Sequence, residues 1–174
     1  ITAFRQEKTI LKDLRRIEKA LSQIRYNFEM IVVVDGMIDK TFVRAKKLSS
    51  SHITIVGYEK NLGKGYAIRY GMARSKGDVV GFIDSGMDLN PNSLSMLLEH
   101  FEWYESDIIV GSKRHPVSKV NYPLNRKVIS YLSQMLIKLL FGLHIRDTQV
   151  GMKFFKRSVL EKILPRLLVK QYAF

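Results

Sequence analysis

Three times in its first hundred residues the chain repeats one figure: a short apolar stretch breaks at a turn, and a stretch with helical spacing follows. The runs are Phe28 to Val34, ending at Asp35-Gly36, then His52 to Gly57, then Val79 to Ile83, ending at Asp84. Their lengths and β-branched content suit buried strands. Between them, helices are expected near Thr41 to Leu48, from Gly65 to Arg74, and from Asn90-Pro91 through Leu94, Leu97, Leu98 and Phe101. An earlier helix is marked by Ile10, Leu14, Ile17, Leu21 and Ile24, which recur at spacings of four and three, and a further strand by Asp107 to Val110. This alternation predicts an α/β fold with a mostly parallel sheet covered on both faces. In such folds ligands bind beyond the carboxyl ends of the strands. Asp35 and Asp84 each follow a strand directly, so both are expected on that one edge.

Beyond Gly111 the texture changes. Ser112 to Leu124 is a basic irregular stretch with Lys113, Arg114, His115, Lys119 and two prolines, and it too follows a strand. Val128 to Leu140 then carries Ile129, Leu132, Leu136 and Leu139 on one helical stripe, which suits either core packing or docking on a membrane surface. No internal repeat or linker interrupts the chain, so a single domain over 1–174 is expected. Ile1 enters directly into a strand-like end and Phe174 closes an apolar run without a stop signal, so both ends are expected to be cut mid-element.

Lysine and arginine number 29 against 16 acids, a net charge of +13, which points to an anionic partner: nucleic acid, a phosphorylated lipid or sugar nucleotide, or an acidic membrane surface. The aromatic residues fall at core positions and no nucleic-acid-binding module is visible, which argues against the first of these. No stretch reaches the roughly 18 apolar residues of a membrane span. With no cysteine, disulfides and thiolate metal sites are excluded, in keeping with a reducing compartment. The four histidines, His52, His100, His115 and His144, show no ligand spacing.

Two local patterns bear on chemistry. Asn61-Leu-Gly-Lys-Gly65 departs from the phosphate-loop pattern, because five residues separate Gly57 from Gly63 and Lys64 is followed by glycine. What remains is a glycine-rich turn into a helix, with Lys64 near the ligand-binding edge. Asp84-Ser-Gly-Met-Asp88 places two carboxylates four residues apart in a turn. That spacing allows either turn capping or a hard cation such as Mg²⁺ or Mn²⁺.

Taken in order, these segments resemble the family 2 GT-A glycosyltransferases, most closely the dolichyl-phosphate mannosyltransferase-like branch. Ile1 to Glu7 is similar to an opening Ile-Pro-Ala-Tyr-Asn-Glu-Glu, Val32 to Thr41 to Val-Val-Asp-Asp-Gly-Ser-Thr-Asp-Gly-Thr, and Asn61 to Gly71 to Asn-x-Gly-Lys-Gly-x-Ala. Phe82 to Asp88 stands where the family has Asp-x-Asp. Gly111 to Arg114, Arg126 with Ser130, and Asp147 to Lys153 complete the series. The chain departs at Thr2, Gln6, Val34 and Gly86, and three of these replace acids.

The resemblance implies a Rossmann-like three-layer fold and inverting transfer of a sugar from a GDP- or UDP-linked donor to a polyprenyl or dolichyl phosphate. It implies that Ala3, Phe4, Glu7, Asp35, Lys64, Asp84 and Ser85 surround the nucleotide sugar. Asp84 and Asp88 would hold Mg²⁺ or Mn²⁺, and Lys113, Arg114 and Arg126 would grip the acceptor phosphate. Asp147 would act as base were the acceptor a hydroxyl. The implied location is the cytoplasmic face of a membrane, peripheral or anchored by further segments. The replaced acids leave a second reading, a non-catalytic GT-A-like domain that binds or scaffolds.

Overall fold

The computed structural model describes residues 1–86, 91–111, 135, 139–140, 142 and 151–171. The chain divides into two compact units, Ile1–Ile109 with Gly151–Phe174, and Val110–Val150. The basic stretch after Gly111 and most of the apolar helix expected from Val128 lie outside the described residues.

In the first unit, strand β1 (Thr2–Ala3) is followed by α1 (Ile10–Leu21), β2 (Met30–Asp35), α2 (Thr41–Lys46), β3 (Ile53–Tyr58), α3 (Lys64–Met72), β4 (Val79–Ile83) and α4 (Pro91–Trp103). Strand β5 (Ile108–Val110) ends at the boundary, and β6 (Met152–Lys156), α5 (Arg157–Ile163) and a 3₁₀ turn (Leu164–Arg166) close the unit. Strands β1, β2 and β3 run parallel in that order, and β4, β6 and β5 form a second group. A parallel bridge from Thr2 to Asp84 joins the two groups, so the ends of β1, β2 and β4 share one edge.

Each element follows from its side chains. In α1, Ile10, Leu14, Ile17, Ala20 and Leu21 are buried, and Asp13 in the first turn and Lys19 in the last complement the helix dipole. Val32 and Val34 of β2 pack in one cluster with Ile10, Leu14, Ile17 and Leu21, with Ile53 and Ile55 of β3, and with Leu94 and Leu98 of α4. A second cluster joins Ile68 and Met72 of α3 to Val80 and Phe82 of β4, Phe155 of β6 and Leu160 of α5. Burying each such side chain contributes about 1.5–3 kcal/mol. The two clusters occupy the two faces of the sheet, which gives the expected three layers.

The structure adds an element that the periodicity does not reveal. Strand β6 pairs antiparallel with β4, Gly81 opposite Phe154 and Phe82 opposite Lys153. Its sequence, Met-Lys-Phe-Phe-Lys, is short and carries two lysines, so it lacks the continuous apolar signature of the parallel strands. Its direction brings Gly151, just ahead of it, to the edge where β4 ends.

Candidate functional site

The backbone supplies the site. Because β1, β2 and β4 end together, Ala3, Phe4, Gln6, Asp35, Asp84, Ser85 and Gly86 line one recess of about 240 Å³, and Lys64 reaches it from the start of α3. Ala3 is buried within it, while Phe4 is exposed with the Arg5 guanidinium 5.3 Å from its ring centre.

Asp84 is the first residue beyond β4, and its amide donates to the Gly151 carbonyl at 3.0 Å. The Lys64 ammonium lies 2.7 Å from Oδ1 and 2.9 Å from Oδ2 of Asp84. Their side chains keep 39% and 37% of their surface exposed, so the pair opens to solvent and to any ligand entering the recess. The Lys64 and Lys153 ammonium groups each sit 5.8 Å from the centre of the Phe82 ring. Two cations therefore share one aromatic ring, and one of them is the Asp84 partner.

Asp35 has a different character. Only 4% exposed, its carboxylate accepts from the Tyr58 hydroxyl at 2.9 Å, Asn61 Nδ2 at 3.0 Å, and the amides of Leu62 and Gly63 at 2.8 and 3.1 Å. Four donors satisfy it from within the chain, and they hold the loop that leads into α3. The Tyr58 hydroxyl is pushed well above the usual tyrosine range, first by burial and then by the Asp35 carboxylate it donates to.

The loop must turn sharply at Gly63, where φ is +98°, a value that favours glycine. The α3 start is also occupied: the amides of Gly65 and Tyr66 donate to the carbonyls of Gln171 and Lys170 at 2.8 and 3.1 Å. The glycine-rich turn is thus capped by the chain itself. The Lys64 side chain, rather than those backbone amides, faces the recess.

Ser85 is buried and donates to Gln6 Oε1 at 2.6 Å, while the Gln6 amide donates to Thr41 Oγ1 at 2.8 Å. Glu7 does not line this recess. Its carboxylate accepts from the Lys40 amide at 3.1 Å, and it lines a neighbouring depression with Arg5, Gln6, Lys8, Thr9, Ile38 and Asp39, Gln6 being common to both. Asp88, Lys113, Arg114, Arg126 and Asp147 lie outside the described residues.

Sequence reasoning did not single out Gln6 or Gly151 as site residues. Gln6 entered only as a departure from the family acid, and Gly151 only as part of a motif. The signal for Gly151 was there, a glycine immediately ahead of an aromatic strand, where a close backbone approach is expected.

The residues present are compatible with a divalent cation. Asp84 is a hard oxygen donor at the rim of the recess, and it already holds positive charge in the form of the Lys64 ammonium. Among the described residues no group of three His, Cys, Asp or Glu side chains gathers, so a cation here would draw its other ligands from elsewhere.

The chain is similar to several known proteins. The chain is 30% identical over 168 residues to a dolichyl-phosphate beta-glucosyltransferase of Drosophila melanogaster, covering 90% of this chain and 52% of that one. It is 28% identical over 183 residues to a dolichol-phosphate mannosyltransferase of Pyrococcus furiosus, covering 98% and 51%. The chain therefore spans about half the length of these curated relatives. In fold it is similar to a mannosyltransferase from Pyrobaculum calidifontis solved with GDP-Man and Mn²⁺, with a TM-score of 0.63 and 15% identity, over 93% of this chain and 44% of that one. The family model for glycosyl transferase family 2 matches residues 1–164. The chain belongs to glycosyl transferase family 2.

Proposed function

We propose that this chain binds a nucleoside-diphosphate sugar across the ends of β1, β2 and β4, and that the sugar passes with inversion to a polyprenyl phosphate. The observation that carries the reading is the meeting of Asp84, Lys64 and Ser85 with Ala3 and Asp35 around one recess at the carboxyl edge of the sheet. The names of the relatives, two of them dolichyl- or dolichol-phosphate sugar transferases, support the acceptor class. They give the non-catalytic reading no support.

In the proposed reaction an oxygen of the acceptor phosphate attacks the anomeric carbon from the face opposite the diphosphate. A carbon–oxygen bond forms to the acceptor as the carbon–oxygen bond to the diphosphate breaks, and the nucleoside diphosphate leaves with the bonding pair. A phosphate is already ionised at neutral pH, so no proton need be removed. With a hydroxyl acceptor a base would be required, a role for Asp147.

The chain's own part is to place charge where charge develops. Lys64 would face the departing diphosphate, and preorganised groups of this kind commonly supply the largest share of catalysis. Asp84, with Asp88, would hold a divalent cation, Mg²⁺ or Mn²⁺, which when bound neutralises the diphosphate. Asp35 would act indirectly by fixing the loop at residues 61–63. Lys113, Arg114 and Arg126 would grip the acceptor phosphate, arginine as a two-pronged fork and lysine as a point charge.

Among the described residues no helix is long and apolar enough to cross a membrane. A lipid-linked acceptor would place the chain at a membrane surface, on its cytoplasmic face, and the +13 charge suits an anionic headgroup layer there.

The test is transfer. The chain, and any longer form of it, is incubated with GDP- and UDP-sugars and a short polyprenyl phosphate, and products are read by mass spectrometry. A glycosyl polyprenyl phosphate supports the reading, and Arg126→Ala should then weaken acceptor use more than donor use. Absence of both transfer and donor hydrolysis, with the protein folded, contradicts it.

A further inference from the structure

The Asp84–Lys64 pair carries a consequence for the order in which ligands enter, and it rests on the reading of the recess as a diphosphate site. Both Asp84 oxygens face one ammonium, at 2.7 and 2.9 Å. The other carboxylate lining the recess, Asp35, is taken up by four donors of its own chain. Gly86, where the family has its second acid, contributes no carboxylate. Among the described residues a Cβ built there would meet Gln6 Nε2 alone, at 3.8 Å, so these residues leave the position open. Among the described residues the recess therefore offers a cation one carboxylate, already neutralised by a lysine.

A divalent ion arriving alone would have to displace that ammonium from Asp84, and Asp84 with Asp88 would offer it two carboxylates at most. Hard cations of this class hold poorly to so few charges and are commonly bound by one or two carboxylates together with substrate phosphates. A nucleoside diphosphate changes the balance. It brings several phosphate oxygens for the ion, and it offers the ammonium a second anionic partner within reach of a flexible four-carbon stem. The lysine can then turn to the phosphates and leave Asp84 to the ion.

We propose that Lys64 is a tethered cation that guards Asp84, so that a divalent metal enters this site together with a nucleoside diphosphate and not ahead of it. Coupling of this kind is reciprocal: the diphosphate strengthens metal binding by the same factor as the metal strengthens diphosphate binding.

Titration of Mn²⁺, followed by the loss of its free electron-spin resonance signal, tests the proposal on the wild type, Lys64→Met, Lys64→Arg and Gly86→Asp. Each is titrated without nucleotide and with saturating UDP or GDP. In the wild type, nucleotide should strengthen Mn²⁺ binding by about tenfold or more. Lys64→Met should bind Mn²⁺ alone several-fold more tightly than the wild type, and the gain from nucleotide should shrink. Lys64→Arg should behave like the wild type. Gly86→Asp, which places a second carboxylate in open space, should also bind Mn²⁺ alone more tightly, and this arm does not depend on how Lys64→Met folds.

Equal Mn²⁺ affinity of the wild type with and without bound nucleotide overturns the proposal. So does Lys64→Met or Gly86→Asp, folded by circular dichroism, without any gain for Mn²⁺ alone. Failure of both UDP and GDP to bind the wild type overturns the reading of the recess itself, and this proposal with it.

Discussion

Gly151 makes room for Asp84. The Gly151 carbonyl accepts the Asp84 amide, and a Cβ at position 151 would lie 2.8 Å from the Asp84 Cγ and closer still to Oδ2. The residue ahead of β6 thus sets where the carboxylate at the end of β4 can sit. Replacing Gly151 with alanine should push the Asp84 side chain off Lys64 while leaving the sheet paired. The expected outcome is a loss of nucleotide affinity on the order of tenfold, about 1.4 kcal/mol, with an unchanged circular dichroism spectrum. Full affinity in a folded Gly151→Ala protein would show that the Asp84 position does not matter for binding.

Asp35 is expected to act on the loop rather than on a ligand. Asp35→Asn removes the charge and leaves one oxygen for four donors, so stability should fall by about 2 kcal/mol. Amide hydrogen exchange at Leu62 and Gly63 should accelerate, because both amides lose a charged acceptor. Unchanged protection at these two amides would contradict the assignment.

The Tyr58 hydroxyl reports on the same latch through pH. Its folded pKa is raised by burial and by Asp35, while in the unfolded chain it ionises near about pH 10. A raised folded pKa means that the contribution is fully present below the unfolded value and is lost as pH climbs above it. Tyr58→Phe should therefore be less stable than the wild type at neutral pH by about 1 kcal/mol. The gap should narrow above about pH 10. Denaturant melts at pH 7 and at alkaline pH measure it, and a gap that widens with pH would be wrong in sign.

Much of this architecture can be read from the sequence because β2 is buried on both faces, which leaves its run Ile31 to Val34 with few other ways to fold. The placement of Asp35 and Asp84 on one edge follows from that alone. What each carboxylate does there is not legible in the same way. Asp35 and Asp84 both end strands, yet one is spent on Tyr58, Asn61, Leu62 and Gly63 and the other faces Lys64, and nothing in their local sequence separates the two. The difference arises from contacts 20 or more residues apart, made by loops whose paths the periodicity does not specify. Strand β6 escaped for a related reason: Lys153 and Lys156 break up its apolar pattern, and its place between β4 and β5 is a long-range pairing. The capping of α3 by Lys170 and Gln171 is likewise a long-range event, and it makes the glycine-rich turn a closed corner.

The central claim is that Asp84 anchors a metal-assisted diphosphate site, and calorimetry of UDP and GDP binding with and without Mn²⁺, on the wild type and Asp84→Asn, tests it most directly. Asparagine keeps the shape of the side chain and removes its charge. The account predicts that Mn²⁺ strengthens binding of one of the two nucleotides to the wild type by about tenfold or more, and that this gain disappears in Asp84→Asn. The same gain from Mn²⁺ in both proteins would contradict it.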